Sequence, residues 1–186
     1  MNEAIIAAGS ILHYLEATEH KDTQHIAAIS RIDEDKYVWL DKFTIRNLEL
    51  VSSGNEGGVS LLEVLDKTIT PMGSRNLRKW LILPLKEKQV IDERLHIVEQ
   101  FYTDRNLSEK ILEHLAQITD LERLISKVAV GRINPRELLQ LKRSLKATVP
   151  IKEALENSSS PELKKQGDQL NKCEFLLDKI ECELKD

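Results

Sequence analysis

The sequence has few aromatic residues and only two cysteines, and each shortage excludes a class of function. Aromatic side chains make up 4% of the 186 residues, which leaves little stacking surface for single-stranded nucleic acid. Cys173 and Cys182 fall in a segment predicted to form one helix, about 13 Å apart along its axis, which excludes a disulfide within an intact helix. Without nearby histidines they make a poor zinc site, so we interpret both as packing residues in a reducing compartment.

The chain also lacks a long apolar run. No stretch approaches the ~20 residues that span a bilayer, and no secretory signal pattern begins the sequence. We therefore expect a cytoplasmic protein with no membrane partner. The formal net charge of −4 argues against a dedicated nucleic-acid binder with a basic surface throughout. The length allows one domain with a substantial core, or an extended helical piece of something larger.

No recognisable catalytic grouping occurs in the sequence. The histidines form no H-E-x-x-H motif and have no paired metal-ligand spacing; they are His13, His20, His25, His96 and His114. The Gly-rich stretch SSGNEGGVS lacks a following Lys-Ser or Lys-Thr, so it is not a P-loop and is interpreted as a flexible turn. Carboxylates near predicted helix starts suit capping; they are Asp41, Glu49, Glu63 and Asp66. We expect no enzyme activity and no catalytic, cofactor-binding or metal-binding residue in this chain.

Signals for the start and end of helices follow the Gly-rich stretch. Ser60, followed three residues later by Glu63, predicts a capping box. Thr70 predicts an N-cap with Pro71 at the first helical position, and Pro84 predicts the end of that helix. The expected buried stripe of this helix is Leu77, Trp80 and Leu81.

The first forty residues predict one helix and one hairpin. Hydrophobic periodicity indicates an amphipathic helix over 3–18 with Asn2 as its cap. Its apolar face comprises Ile5, Ala8, Leu12 and Leu15. Segments 26–32 and 37–40 are rich in β-branched or aromatic residues and flank a polar turn, which predicts a small hairpin.

After Pro84 the pattern is helical throughout. The predicted apolar faces are Ile91, Leu95, Val98 and Tyr102, then Leu121, Leu124, Ile125 and Val128, then Leu138, Leu141 and Leu145. Asn134, Pro135 and Glu137 predict the start of the last of these helices. Three serines before a proline at 157–161 are typical of a linker.

Beyond this linker, leucines recur every seven residues. The repeat comprises Leu163, Leu170, Leu177 and Leu184, with Cys173 and Ile180 between them. Such spacing predicts a helix of about 25 residues that pairs with one other long helix, or alternatively a self-pairing coiled coil. The predicted fold is therefore mainly α, a multi-helical domain with a small hairpin near the N-terminus and a long C-terminal helix. We place the domain at 1–156 and the start of the long helix at 157–186.

One segment of the chain is strongly basic. Against the single acid Glu137 it carries seven cations, giving a local charge of +6: Arg123, Lys127, Arg132, Arg136, Lys142, Arg143 and Lys146. These residues are candidate contacts for DNA phosphates, which would be salt-dependent and blind to sequence. The alternative, which we favour, is a solvated helix face that pairs with acidic surfaces elsewhere.

The region that contains these helix-capping signals resembles a known family. The strings LDKFTIRNLEL and SLLEVLDKTITPMGSRNLRKWLILPL resemble the core domain of the MutS family of DNA mismatch repair proteins. The resemblance begins with AAGSILHYLEAT near Ala7, continues through DLERLISKVAVGRINPRELLQL, and fades after about Leu155, so it covers roughly four fifths of the chain. Ile45 stands where the family pattern has a basic residue, and a homologue devoted to recombination stays open as the source.

The resemblance assigns a set of motif residues with structural roles. The motif comprises Asp41, Thr44, Arg46, Asn47, Asp66, Thr68, Thr70, Gly73, Arg75, Arg78 and Trp80. Its arginines and Asn47 are interpreted as internal struts, because a planar guanidinium can bridge several carbonyl or carboxylate groups. Asp66, Thr68 and Thr70 are interpreted as local hydrogen-bonders that fix the turn between two helices.

The resemblance also implies a function. It implies a core or lever segment that couples mismatched-DNA binding to an ATPase domain, both outside this chain. For the whole protein it implies ATP and Mg²⁺, a homodimer, and the remaining MutS domains, mismatched duplex DNA and a MutL-type protein as partners. The chain has no Phe-x-Glu motif and no P-loop, so we expect it neither to recognise a mismatch nor to hydrolyse ATP alone. The alternatives are a free-standing helical interaction module and a non-specific DNA-backbone binder.

Overall fold

The computed structural model describes residues 2–18, 26 and 34–184, and these residues are mainly helical. A short 3₁₀ turn covers Glu34–Lys36. The helices are α1 (Asn2–Ala17), α2 (Lys42–Asn47), α3 (Leu61–Leu65), α4 (Pro71–Ile82), α5 (Lys88–Thr103), α6 (Arg105–Leu115), α7 (Leu121–Ala129), α8 (Pro135–Glu156), α9 (Pro161–Gln169) and α10 (Glu174–Glu183). The mainly α fold class is confirmed.

The helix caps and the helix end predicted after the Gly-rich stretch are confirmed. Ser60 and Glu63 form a complete capping box, because each side chain accepts a hydrogen bond from the other residue's backbone amide. The Thr70 hydroxyl accepts from the Gly73 amide at 3.1 Å, and Pro71 begins α4. Helix α4 ends at Ile82, because a residue directly before a proline is driven out of helical geometry.

Helix α8 is the centre of the packed core. It begins where Asn134, Pro135 and Glu137 predicted, and Asn134 and Glu137 form a capping box there. It contacts α6, α7, α9 and α10. One buried cluster involves α6, α8 and α9: Ile111, Ile118, Ala147, Ile151, Ala154, Leu155 and Leu163. A second involves α7, α8 and α10: Leu124, Leu141, Leu145 and Leu177. The prediction that Leu141 and Leu145 face the core is confirmed.

Helix α9 approaches α8 closely at a glycine. A Cβ on the buried Gly167 would lie 3.1 Å from Glu156 Cγ and 3.2 Å from Leu155 Cβ. At the same crossing Lys152 Nζ donates a hydrogen bond to the Gly167 carbonyl at 2.9 Å. Ser160, in the segment predicted to be a linker, is 4% exposed and caps α9. The segment is therefore a packed turn between two helices.

The continuous C-terminal helix predicted from the seven-residue repeat is wrong. The chain leaves helical geometry at Leu170, and Cys173 has a φ of 52° directly before α10. This break allows Leu177 and Ile180 to become buried, with Leu177 packed beside Leu141 and Leu145 of α8. The burial of apolar surface against α8 thus takes the place of pairing with a long partner helix.

The packing role predicted for the two cysteines is correct for one of them. Cys173 is partly buried and packs against the second cluster. Cys182 is exposed. Both are free thiols, and Cys173 lies outside α10, so the premise that the two share one helix was wrong.

Two predicted apolar faces are wrong in part. On α5, Leu95, Val98 and Tyr102 are 59%, 62% and 83% exposed, whereas Ile97 and Phe101 pack against the core. Helix α5 is apolar on two sides, and contact with α6 and α9 selects the side that is buried. On α4, Trp80 is 44% exposed, and the guanidinium of Arg94 lies 3.9 Å from its ring centroid in a cation–π contact.

The predicted apolar faces of α7 and α1 are also wrong in part. On α7, Leu124 is buried, whereas Ile125 and Val128 are 54% and 44% exposed. A nine-residue helix at the edge of the core buries only one narrow stripe. Near the N-terminus, α1 begins at Asn2, so the role of this residue as the cap stays a prediction. Ile5 and Leu12 of the predicted face of α1 are exposed.

The predicted hairpin is not confirmed. Its first strand, over 26–32, lies outside the described residues except for Ile26. Tyr37, in the second, forms a single antiparallel bridge with Leu85. The Val38 amide donates to the Pro84 carbonyl at 2.7 Å, and the Lys86 amide donates to the Lys36 carbonyl at 3.1 Å. Residues 36–38 therefore pair with the α4–α5 connection.

Candidate functional site

Asp66 organises the turn between α3 and α4. Its carboxylate accepts hydrogen bonds from the Thr68 amide at 3.0 Å and from the Thr68 and Ser74 hydroxyls at 2.5 Å each. These bonds hold the pKa of the Asp66 carboxyl below its usual value, and the bond from Ser74 contributes most. Gly73 lies against this turn, where a Cβ would come within 3.3 Å of Thr68 Cβ.

The α2 end of the motif is held by a cap and by backbone bonds. Asp41 caps α2 by accepting from the Thr44 amide at 2.7 Å, and this bond lowers the pKa of the Asp41 carboxyl. The Leu61 amide donates to the Glu49 carbonyl at 2.9 Å, which ties the end of this segment to α3. Arg46 and Asn47 are exposed, so their role as struts stays a prediction.

The Gly-rich stretch is organised around a carboxylate. Glu49 Oε1 accepts from the Ser53 hydroxyl at 2.8 Å, the Gly54 amide at 3.2 Å and the Asn55 side-chain amide at 3.4 Å. Because an anion from the chain itself occupies these donors, the loop does not fit a nucleotide phosphate. Gly57, with a φ of 74°, supplies the left-handed turn that the loop needs.

Arg75 connects α4 to the start of α7. Its Nη1 and Nη2 donate to the two Asp120 oxygens at 2.9 and 2.7 Å, and its Nε and Nη2 donate to Glu122 Oε2 at 2.9 and 2.5 Å. We call these three residues the Arg75 link. Arg75 holds the pKa of the Asp120 carboxyl below its usual value, and the two carboxylates raise the pKa of Arg75.

Sequence reasoning did not find the partners of Arg75. Asp120 and Glu122 lie 45 and 47 residues away in the chain, beyond any local spacing rule. Asp120 also caps α7, because its carboxylate accepts a hydrogen bond from the Arg123 amide at 3.2 Å. Its position before a predicted helix is the feature of the sequence that could have drawn attention to Asp120. Arg78, on the same helix as Arg75, is exposed.

Ser144 is a second connection that sequence reasoning missed. This fully buried α8 residue accepts a hydrogen bond from the Thr119 amide at 3.0 Å, and its hydroxyl lies 2.9 Å from that of Thr119. It therefore fixes the α6–α7 connection on α8. Asp120 follows directly in the chain, so the Arg75 link is anchored to the core on its α7 side.

The basic run divides into paired lysines and exposed arginines. Lys127 Nζ donates to Glu137 Oε1, and Lys146 Nζ donates to Glu181 Oε2 at 2.8 Å. Lys142 Nζ lies 3.9 Å from that same Glu181 oxygen. The exposed members are Arg123, Arg132, Arg136 and Arg143. The lysines fit the interpretation of a helix face paired with acidic groups, and DNA contact by the run stays a prediction.

Two further observations concern metal binding and membrane insertion in the described residues. Within 2–18, 26 and 34–184, no group of three or more His, Cys, Asp or Glu side chains could hold a metal ion. No helix in those ranges is long and apolar enough to cross a membrane. The arrangement provides polar connections between packed helices, of which the Arg75 link is the most extensive.

Fold and motif together define the class of protein. The family model for MutS domain III matches residues 43–185, so the chain belongs to the MutS domain III family. It is 52% identical over 184 residues to the DNA mismatch repair protein MutS of Bacteroides fragilis, covering 99% of this chain and 21% of that protein. It is 54% identical over 180 residues to that of Parabacteroides distasonis, covering 97% and 21%. The chain thus spans about a fifth of the length of these relatives.

Proposed function

We propose that this segment is the coupling core of a MutS-type DNA mismatch repair protein. In this proposal it joins a region that binds mismatched DNA to a region that binds and hydrolyses ATP, both in the rest of the whole protein. Coupling between distant sites needs packed elements with few alternative arrangements. The observation that carries the proposal is the Arg75 link, which fastens the family-motif helix α4 to α7.

Continuity from the motif to the core supports the proposal. Asp66, through Ser74 on α4, fixes the start of that helix. Arg75, one residue further, reaches Asp120, and Ser144 anchors the preceding residue to α8. A displacement of α3 and α4 would therefore be passed to α8 through hydrogen bonds. Contacts between flexible apolar side chains at the surface would not transmit such a displacement, because these side chains can move independently of the helices.

The proposal extends to the partners of the whole protein. Its relatives are named DNA mismatch repair proteins, which supports mismatched duplex DNA and the remaining MutS domains as partners. ATP and Mg²⁺ would bind in those other domains, since the Gly-rich loop of this chain is filled by Glu49. A homodimer, a MutL-type partner and a cytoplasmic location are parts of the same proposal.

The test uses a full-length protein. The matching segment of the Bacteroides fragilis MutS is replaced by this chain, and Arg75→Gln is introduced into the hybrid. We expect mismatched-DNA affinity and ATP turnover without DNA to stay within about two-fold, while the change in turnover on adding mismatched DNA falls about five-fold. Such a loss is about 1 kcal/mol, within the usual range of coupling free energies.

Two controls distinguish coupling from general stability. Arg78→Gln makes the same charge change at an exposed position of α4 and should leave the response to DNA unchanged. Thermal unfolding of each hybrid shows whether the segment remains folded. An unchanged response in Arg75→Gln, or an equal loss in Arg78→Gln, would contradict the proposal.

A further inference from the structure

Helix α5 carries a row of apolar side chains on a face that does not pack against the core. Leu95, Val98 and Tyr102 are each more than half exposed, and Ile91, about one turn before Leu95, is partly exposed. These four residues follow one another at steps of four, three and four, so they lie in one line along the helix. We call this line the α5 seam.

The core uses a different side of α5. Ile97 and Phe101 pack against the cluster formed by α6, α8 and α9, and α5 contacts α6 and α9. Since each residue advances about 100° around a helix, these two side chains lie about 110° from the α5 seam. Within the described residues, the contacts that hold α5 in place therefore leave the seam open.

The spacing of the α5 seam is that of a contact between two helices. Alternating steps of three and four keep apolar side chains facing a single partner helix. Soluble proteins expose apolar side chains singly at many places, whereas a contiguous apolar row marks a surface that is covered by another element. The seam therefore fits an apolar helix laid along α5.

The seam is too small to hold a second copy of this chain by itself. It extends over residues 91–102, less than two heptads, whereas a coiled coil needs about three to four heptads. Its side chains offer roughly 400 Å² of surface, well below the about 800 Å² that each partner buries in a stable complex.

A helix of the same polypeptide needs far less contact area. A tether gives the second surface an effective concentration of about a millimolar, so a small apolar contact is enough to keep it in place. This chain spans about a fifth of the length of its relatives, and a protein of that length has most of its residues outside this segment. The seam lies within residues 43–185, which match the model of MutS domain III.

We propose that the α5 seam is the docking surface for an apolar helix from another region of the same polypeptide. The proposal rests on the proposed function only in placing this segment within a longer protein. It goes beyond the coupling role, which names no surface through which the rest of that protein contacts this segment.

The test compares the isolated chain with the full-length hybrid, in which this chain replaces the matching segment of the Bacteroides fragilis MutS. Val98→Cys places a small apolar thiol in the seam, and peptide mass spectrometry follows its labelling by a maleimide separately from the native cysteines. We expect labelling at least about ten-fold slower in the hybrid than in the isolated chain. Gln89→Cys, exposed on the polar side of α5, is the matched control and should differ by less than about two-fold.

A second measurement needs no substitution. Hydroxyl radicals oxidise exposed tyrosines, so the peptide that contains Tyr102 should be oxidised more slowly in the hybrid than in the isolated chain. Circular dichroism checks that the Val98→Cys and Gln89→Cys proteins are folded. If Val98→Cys disturbs the seam, the oxidation of Tyr102 in the unsubstituted proteins decides the result.

The remaining outcomes overturn the proposal. Equal reaction of the seam in the isolated chain and in the hybrid would show that no part of the longer protein covers it. Equal slowing of Gln89→Cys would show general shielding of α5. A labelling rate that falls as the concentration of the isolated chain rises would assign the seam to a second copy. Both measurements use neither DNA nor ATP, so their failure is distinguishable from failure of the coupling test.

Discussion

The described residues before and after Pro84 are held in different ways. Every hydrophobic side chain buried among them lies between Ile111 and Ile180. Before Pro84, large apolar side chains such as Trp39 and Phe43 are 65% and 75% exposed. That earlier region is ordered by helix caps, by the carboxylates of Asp66 and Glu49, and by the Arg75 link. The comparison teaches that the family motif specifies hydrogen-bond geometry, whereas the later helices supply the hydrophobic stability.

Removing a side chain from the later region should give the largest effect. Leu163 is 1% exposed, within the cluster formed by α6, α8 and α9, so Leu163→Ala should lower the unfolding free energy by about 2–5 kcal/mol. Urea unfolding measures this loss. Leu112→Ala, at a leucine that is 45% exposed, is the matched control. Similar losses in both variants would break the comparison.

Crowding the α8–α9 crossing should have the next largest effect. Gly167→Ala places a Cβ about 3.2 Å from the Glu156 backbone nitrogen and from Leu155 Cβ, and overpacking of this kind costs about 1–3 kcal/mol. Gly9→Ala, where a Cβ meets nothing within 4 Å, is the control. A Gly167→Ala protein as stable as the original would show that α9 can move away from α8 freely.

Acid should weaken the connection between the two regions. The folded-state pKa of Asp120 is depressed by Arg75, so its contribution to stability is present at neutral pH and is lost as pH falls through the folded-state pKa, below about pH 4. We expect the unfolding free energy to fall there, and to fall less steeply in Arg75→Gln. Urea unfolding at a series of pH values measures both slopes. Parallel curves would show that the Arg75 link contributes nothing to stability.

A change in the earlier region should have the smallest effect. Phe43→Ser removes an exposed apolar side chain and should change the unfolding free energy of the isolated chain by less than about 0.5 kcal/mol. Leu141→Ser, at a position that is 3% exposed, should lower it by more than about 2 kcal/mol under the same conditions, because a buried apolar side chain is lost. A loss of more than about 2 kcal/mol in Phe43→Ser would show that the region before Pro84 has hydrophobic stabilisation of its own.

Local chemistry was predictable wherever the partners are close in sequence. The caps at Ser60, Thr70 and Asn134 each use a side chain and an amide three residues apart, so spacing alone identifies them. Prediction failed where two sides of one element compete. Tyr102 and Phe101 are neighbours in sequence, and only packing against the core decided that Phe101 lies inside.

The candidate site shows the same division. The sequence supplied the motif residues, and the family resemblance gave the arginines a structural role. It could not supply Asp120 and Glu122 as partners of Arg75, since their separation carries no periodic signal. It also treated the seven basic residues as one set, whereas Glu137 and Glu181 pair with the lysines and leave the arginines exposed.

The sequence by itself determined the helical class, the starts of α3, α4 and α8, and membership of the MutS family, because caps, prolines and motif residues act over three or four positions of the chain. The tertiary structure alone decided which face of α5 is buried, where the C-terminal helix breaks at Cys173, and which charges meet Arg75. These outcomes depend on burial against α8 and on contacts between distant segments. Their free energies come from surfaces that exist only after the chain has folded.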